Sequence, residues 1–213
     1  MGVQLDAVLD EESLCLARTP HEIAKRESEE VALDAWARHG TPVTILRPSQ
    51  VYGPGDVRSE ILKLARLVRR GVVPLFGGGM GLVPWVYVSD VVDAALACPE
   101  RPEAAGRTYI VSDQEPYRFR DVVSVMAREL GVRRGGIYVP AALARLPIAL
   151  AERAAKLARR EPLFTVHRLE SMCGARRVSI SKARRELGFA PKVSLDAGMA
   201  NTISWYLDAG RLS

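Results

Sequence analysis

Cysteine is scarce in this chain: Cys15, Cys98 and Cys173 are the three among 213 residues. Their odd number and wide spacing exclude a disulfide framework and a clustered metal site, and fit reduced thiols in a cytoplasm. Histidine is as sparse. His39, at the end of a helical pattern, and His167, in a mixed segment, have no Cys or His at ligand spacing, so both read as structural and no metal is expected. Long apolar runs are missing too. The most apolar long segment, Pro140 to Leu157, is interrupted by Arg145, Pro147, Glu152, Arg153 and Lys156, which excludes a conventional membrane-spanning helix. No secretory signal pattern opens the chain. Charge of one sign is only slightly in excess, with 30 Lys and Arg against 25 Asp and Glu. The arginines share their helices with glutamates, so no basic stripe marks a nucleic-acid surface. What is present is a 48% hydrophobic composition that suits a globular protein of one domain or one and a half.

The organising stretch is Val43 to Asp56, VTILRPSQVYGPGD. A short β-rich run ends in Arg-Pro and then in a Tyr-Gly-Pro-Gly turn, as a buried parallel strand does. In an open α/β sheet the carboxyl ends of strands line the ligand crevice, which places Pro48, Ser49, Gln50, Val51 and Tyr52 at a candidate site. The same pattern also fits a core strand followed by a structural turn.

Around this stretch, residues 1–19 read as a loop or arm. Pro20 to Arg38 reads as a helix capped by Thr19 and stopped by Gly40. Further helices are expected over 59–70, 91–97, 119–130, 141–160 (kinked or divided at Pro147), 181–187 and 195–207. Strands are expected over 43–46, 72–76, 82–88, 107–111 and 136–139, and Gly77 to Gly81 reads as a flexible loop. Ser89 or Asp90 is expected to cap the helix over 91–97.

Read together, HEIAK (21–25), ILRPSQVYGPGD (45–56), VYVSDVVDAALA (86–97), GRTYIVSD (106–113) and SKARRELGFAPKVSLDAGMANTISWY (181–206) resemble the extended short-chain dehydrogenase/reductase family. More narrowly they resemble its NAD-dependent epimerase/dehydratase and 3β-hydroxysteroid dehydrogenase-like members. The resemblance runs in family order over nearly the whole chain. It implies an α/β protein with a partial Rossmann-type parallel sheet, the last strands only, and a mostly helical substrate-binding domain. Residues 1–19 would be an arm and 20–58 the last helix and strand of a truncated cofactor domain. Residues 59–213 would form the substrate domain, with strand 107–112 returning to the cofactor sheet.

The resemblance also implies site residues. His21 and Lys25 stand where the family has a Tyr-x-x-x-Lys pair, four apart and so on one helix face. There the Tyr moves a proton at the substrate oxygen, and the Lys holds the nicotinamide ribose. An imidazole can act near neutral pH but is shorter than a phenol. Alternatively, His21 is an exposed first-turn residue and Lys25 a solvated charge partnered with Glu29. Lys25 with Pro48, Ser49, Gln50 and Val51 would contact NAD or NADP, and Tyr52, Leu82, Val83 and Trp85 the substrate. Where sugar-nucleotide members carry a diphosphate-gripping Arg, this chain has Leu82, Val83 and Pro84, so an apolar carbonyl or alcohol substrate is expected. The family's Gly-rich phosphate turn has no counterpart, because Gly77 to Gly79 precedes a strand and not a helix. Tight cofactor binding by this chain is therefore not expected. An apolar strand edge without its neighbours predicts a homo-oligomer or a chain supplying the missing strands. Two readings stay open: a nicotinamide-linked oxidoreductase or epimerase, weakly active or inactive as this chain, and a non-catalytic binding protein that retains the fold.

Overall fold

The segment expected to be an arm contains a strand. In the computed structural model, which describes residues 8–13, 19–57, 60–157 and 166–212, β1 (Val8–Leu9) pairs in parallel with Arg177–Val178. Leu9 is buried, and its carbonyl accepts the Ser179 N–H at 2.8 Å. Two residues are too few for alternation to register, so periodicity could not find this strand. Cys15, Ser59 and the expected helix end at 158–160 lie outside the described residues, as does the side chain of His167.

Helix α1 (Pro20–His39) has a complete capping box. Thr19 Oγ1 accepts the Glu22 N–H, and the Glu22 carboxylate accepts the Thr19 N–H. Gly40, at φ 66°, closes its far end in the left-handed region that glycine enters without strain. Then come β2 (Ile45–Pro48) and β3 (Gln50–Tyr52), separated by Ser49. Helix α2 (Glu60–Arg69) buries Ile61, Leu62, Ala65 and Val68 along one stripe. β4 (Val73–Phe76) runs into a tight 3₁₀ turn at Gly77–Gly79.

The single strand expected over 82–88 is two pieces, β5 (Leu82–Val83) and β6 (Trp85–Tyr87). Pro84 between them has no N–H to give to a ladder. Helix α3 (Val88–Ala97) starts earlier than expected, so Ser89 and Asp90 lie inside it; Tyr87 holds the cap position without a side-chain bond. Asp90 is buried instead, and its two oxygens accept the backbone N–H groups of Lys192 and Val193 at 3.1 and 3.3 Å.

The remaining elements are β7 (Thr108–Val111), β8 (Tyr117–Arg118), α4 (Phe119–Glu129), β9 (Gly136–Val139), α5 (Ala141–Leu157), α6 (Val166–Cys173), β10 (Arg177–Val178), α7 (Ser181–Leu187) and α8 (Leu195–Asp208). α5 is one helix with Pro147 inside it. Among the described residues no helix is long and apolar enough to cross a membrane.

The chain divides into two units. The first comprises Met1–Val51, Pro84–Glu115 and Arg177–Val193. Its centre is the parallel pair β2 and β7, in register from Ile45 opposite Thr108 to Pro48 opposite Val111. Val86, Tyr109, Ile110, Val111, Leu187 and Phe189 form its buried core. Each such side chain contributes about 1.5–3 kcal/mol by leaving water. Among the described residues the other edge of β2 carries no strand, and β2 is only half-buried. This is the Rossmann-type part of the α/β fold.

The second unit comprises Tyr52–Val83, Pro116–Arg176 and Ser194–Ser213. Helices dominate it: α4 packs against both α8 and α2, and α5 against α6. Its strands are the parallel pair β4 and β9 and the antiparallel pair β5 and β8.

Candidate functional site

In the first unit three strand ends meet around the organising stretch. The N–H of Ser49, just past β2, donates to the Val111 carbonyl at 2.8 Å, and the Gln50 N–H donates to the Pro84 carbonyl at 3.3 Å. The Trp85 carbonyl accepts the Asp113 N–H at 2.8 Å and the buried Ser112 hydroxyl at 3.4 Å. Thus Pro48, Ser49, Gln50, Val51 and Trp85 are brought together at the carboxyl ends of β2 and β7, where an open α/β sheet places its ligand. Pro48 and Gln50 are exposed, Val51 packs against the core, and Trp85 is buried. The Ser49 hydroxyl is shielded from solvent and has no hydrogen-bond partner among the described residues. A hydroxyl in that state forgoes a bond worth about 1 kcal/mol, so it marks a place where an incoming polar group gains by binding.

His21 and Lys25 lie on the exposed surface of α1. Glu29 shares their face one turn further on, and it is held by Arg47: the Arg47 Nε donates to the two carboxylate oxygens at 2.9 and 3.1 Å. Glu29 is therefore paired with Arg47 and not with Lys25 as expected, because a half-buried fork-shaped guanidinium gives two parallel bonds that an exposed ammonium cannot match. The clamp fixes α1 beside the last residues of β2. Along the helix axis, Lys25 lies about 6 Å and His21 about 12 Å from Glu29. Glu11 is also drawn in, its carboxylate accepting the Ile110 N–H at 2.8 Å and its carbonyl accepting from Arg47 at 3.3 Å.

In the second unit the expected substrate residues Leu82 and Val83 form the middle of a three-row patch. On one side Leu82 faces Arg118 and Val83 faces Tyr117, antiparallel. On the other, Leu82 bridges in parallel to Ala175: its N–H donates to the Gly174 carbonyl at 3.0 Å, and its carbonyl accepts the Arg176 N–H at 3.3 Å. Val83 is buried, as is Tyr52. Gly81 permits the approach, since a Cβ there would lie 1.9 Å from the Met172 carbonyl oxygen.

Arg176 is the residue that reading the sequence missed. Its Nε is buried without a hydrogen-bond partner, and burial pulls its pKa below the ordinary arginine value. Only its long-range pairing with β5 distinguishes it from the chain's many surface arginines, and no local signal reports that. Among the described residues no group of three or more metal-ligating side chains occurs.

Comparison with known proteins agrees with this architecture. The NAD dependent epimerase/dehydratase family profile matches residues 5–112. The chain is 34% identical over 194 residues to 3beta-hydroxysteroid-dehydrogenase/decarboxylase isoform 1 of Arabidopsis thaliana, covering 84% of this chain and 44% of that protein. It is 31% identical over 160 residues to 2-alkyl-3-oxoalkanoate reductase of Stenotrophomonas maltophilia, covering 72% and 48%. With the decarboxylating sterol-4-alpha-carboxylate 3-dehydrogenase of Saccharomyces cerevisiae it shares 26% identity over 205 residues, covering 88% and 57%. The chain thus spans about half the length of the curated relatives it matches. Among solved structures, UDP-glucuronic acid 4-epimerase from Bacillus cereus in complex with NAD superposes with a TM-score of 0.70 at 18% identity, over 95% of this chain and 57% of that one. With its parallel pair β2 and β7, its strand-end site and a profile match over half its length, the chain belongs to the NAD dependent epimerase/dehydratase family.

Proposed function

We propose that this chain is a nicotinamide-linked oxidoreductase-type protein whose substrate is an apolar alcohol or ketone bearing a carboxylate close to the reacting carbon. The family match over 5–112 is the observation that carries the nicotinamide part. Apolarity is supported by Leu82 and Val83 on β5 and by buried Tyr52, all in the second unit. The carboxylate is supported by two relatives, a sterol-4-alpha-carboxylate 3-dehydrogenase and a 2-alkyl-3-oxoalkanoate reductase, whose names each put a carboxylate one carbon away from the carbon that changes oxidation state.

The residues at the end of β2 fit the nicotinamide end of NAD or NADP. Lys25 would hold the ribose, and Pro48 to Val51 would meet the ring, with the unpartnered Ser49 hydroxyl satisfied by a polar group brought there. The pyrophosphate finds no such fit in Gly77–Gly79, a 3₁₀ turn that leads into β5. When bound, the nicotinamide gives or takes a hydride at the substrate carbon. The chain's own task would be to move a proton at the substrate oxygen, a role the resemblance assigns to the position of His21. An exposed imidazole at the far end of the α1 face is poorly placed to stay within hydrogen-bond reach of that oxygen. We therefore infer weak or no turnover by this chain alone. The same His21 favours the second reading, a binding protein without chemistry. Self-association, or pairing with a chain that supplies strands beside β2, is supported by exposed Ile23, Val31 and Trp36 on α1, a helix that buries no residue.

The test uses the purified chain with NAD or NADP and 3-hydroxydecanoate, followed by formation of reduced nicotinamide. Turnover below about one per second is expected, and His21→Tyr should raise it by about tenfold or more, the scale of a repositioned acid or base. An unaltered chain that turns over at an ordinary enzymatic rate would refute the disabled site. A His21→Tyr chain that gains nothing would favour the binding-protein reading. Calorimetry should find no cofactor affinity tighter than about 1 μM, a binding free energy of about 8 kcal/mol.

A further inference from the structure

We infer that Arg176 is the specificity-determining residue of the substrate patch and that it takes up the substrate's carboxylate. This rests on the reading above that the substrate is an apolar acid. The register carries the argument. Leu82 sits opposite Ala175 in the parallel bridge and opposite Arg118 in the antiparallel pair. Side chains alternate along each row, so the neighbours Val83, Tyr117 and Arg176 share the other face. That face combines a buried aliphatic floor, an aromatic ring and a guanidinium.

The state of the guanidinium is unusual for this chain. Arg47, Arg128, Arg145 and Arg185 each hold a carboxylate. Arg176 is more buried than a surface arginine, and its Nε is sealed from solvent with no hydrogen-bond partner among the described residues. Burying a cation without a counter-charge is unfavourable, so the fold leaves at this position an unmet demand for an anion. The planar fork of the guanidinium matches a carboxylate, whose two oxygens accept two parallel N–H bonds. A diphosphate asks for several donors around a larger charge, and the residues that share the face of Arg176 are Val83 and Tyr117. A carboxylate attached to an apolar body satisfies the cation and covers the aliphatic floor together.

The probe is octanoate against octan-1-ol, measured on the whole chain by calorimetry and thermal shift. Octanoate has no oxygen on the third carbon, so it reports on the carboxylate contact independently of any redox chemistry. The chain should prefer octanoate by about tenfold or more, the discrimination of one charge-assisted bidentate contact. Arg176→Met should reduce the preference to near unity without weakening octanol. Arg176→Lys should keep only part of it, because an ammonium is a point charge; this variant carries the test if Arg176→Met does not fold. A preference unchanged in the folded variant overturns the inference, as does inorganic pyrophosphate displacing octanoate in an Arg176-dependent way. A His21→Tyr chain that gains no turnover with 3-hydroxydecanoate while the Arg176-dependent preference persists would sink the oxidoreductase reading alone.

Discussion

Replacing Asp90 by serine separates two accounts of the same residue. If Asp90 were a helix cap, serine would replace it within a few tenths of a kcal/mol, since both are good caps. The structure puts it to another use. It is 2% exposed, and its two oxygens separately accept the N–H groups of Lys192 and Val193, at 3.1 and 3.3 Å. A hydrogen bond to a charged group contributes about 1.5–3 kcal/mol, and both bonds are at the long end of the normal range, so the lower figure applies to each. Serine has one oxygen on a shorter arm and leaves at least one of these amides buried and unpaired. The expected loss is about 3 kcal/mol, a large part of the 5–15 kcal/mol that typically separates folded from unfolded chains. With a slope of about 2 kcal/mol per molar, the urea midpoint should fall by about 1.5 M. Lys192→Ala is the control: it removes only the exposed Lys192 Nζ bond to Asp93 at 2.6 Å and should cost under about 0.5 kcal/mol. A loss below about 1 kcal/mol for Asp90→Ser would refute the bridging role and restore the cap.

Tyr109 sets an alkaline limit: burial first, and then its hydrogen bond to Glu186 at 3.0 Å, push its pKa from 10.0 up to about 12. A folded-state pKa above the unfolded one means that its contribution is whole below pH 10 and is lost as pH rises toward 12. The loss should be about 2–3 kcal/mol by linkage. In chemical denaturation Tyr109→Phe should flatten that part of the pH profile, and an unchanged profile would remove Tyr109 as its source. Gly106→Ala should cost about 1–2 kcal/mol by forcing an alanine to φ +75°. Its Cβ would lie 2.3 Å from Trp36 Nε1, so the indole must swing away, and a Trp36 fluorescence spectrum identical to the parent would count against that contact.

Much of the fold could be read because its causes are local. Thr19, Pro20 and Glu22 announce the start of α1, and Gly40 and Gly188 end helices where a positive φ is needed. Both strands could be read as short apolar runs of the buried parallel type, but the pairing of β2 with β7 was implied only by the family resemblance, which returns strand 107–112 to the cofactor sheet. What escaped has distant causes. β1, β8 and β10 are two residues long, below any detectable period, and exist only because a partner strand is present. Asp90 looked like a cap because capping is its usual work near a helix start; the amides that claim it are at 192 and 193.

The candidate site divides along the same line. The end of β2 was legible because Arg-Pro followed by Tyr-Gly-Pro-Gly breaks a strand in a recognisable way, and strand ends are where open sheets bind. β5 and its neighbours were legible only in part. In the sequence Leu82 and Val83 are apolar where the resemblance would put a phosphate-binding arginine, and the reading that follows from that is an apolar cleft. The bridge from Leu82 to Ala175 brings Arg176 beside that strand from a segment with no motif of its own. One backbone pairing therefore adds to the face of Val83 and Tyr117 a cation whose Nε has no partner among the described residues. A ligand suited to that surface carries its charge at one end, and substitutions at Arg176 should alter which ligands bind before they alter whether the chain folds.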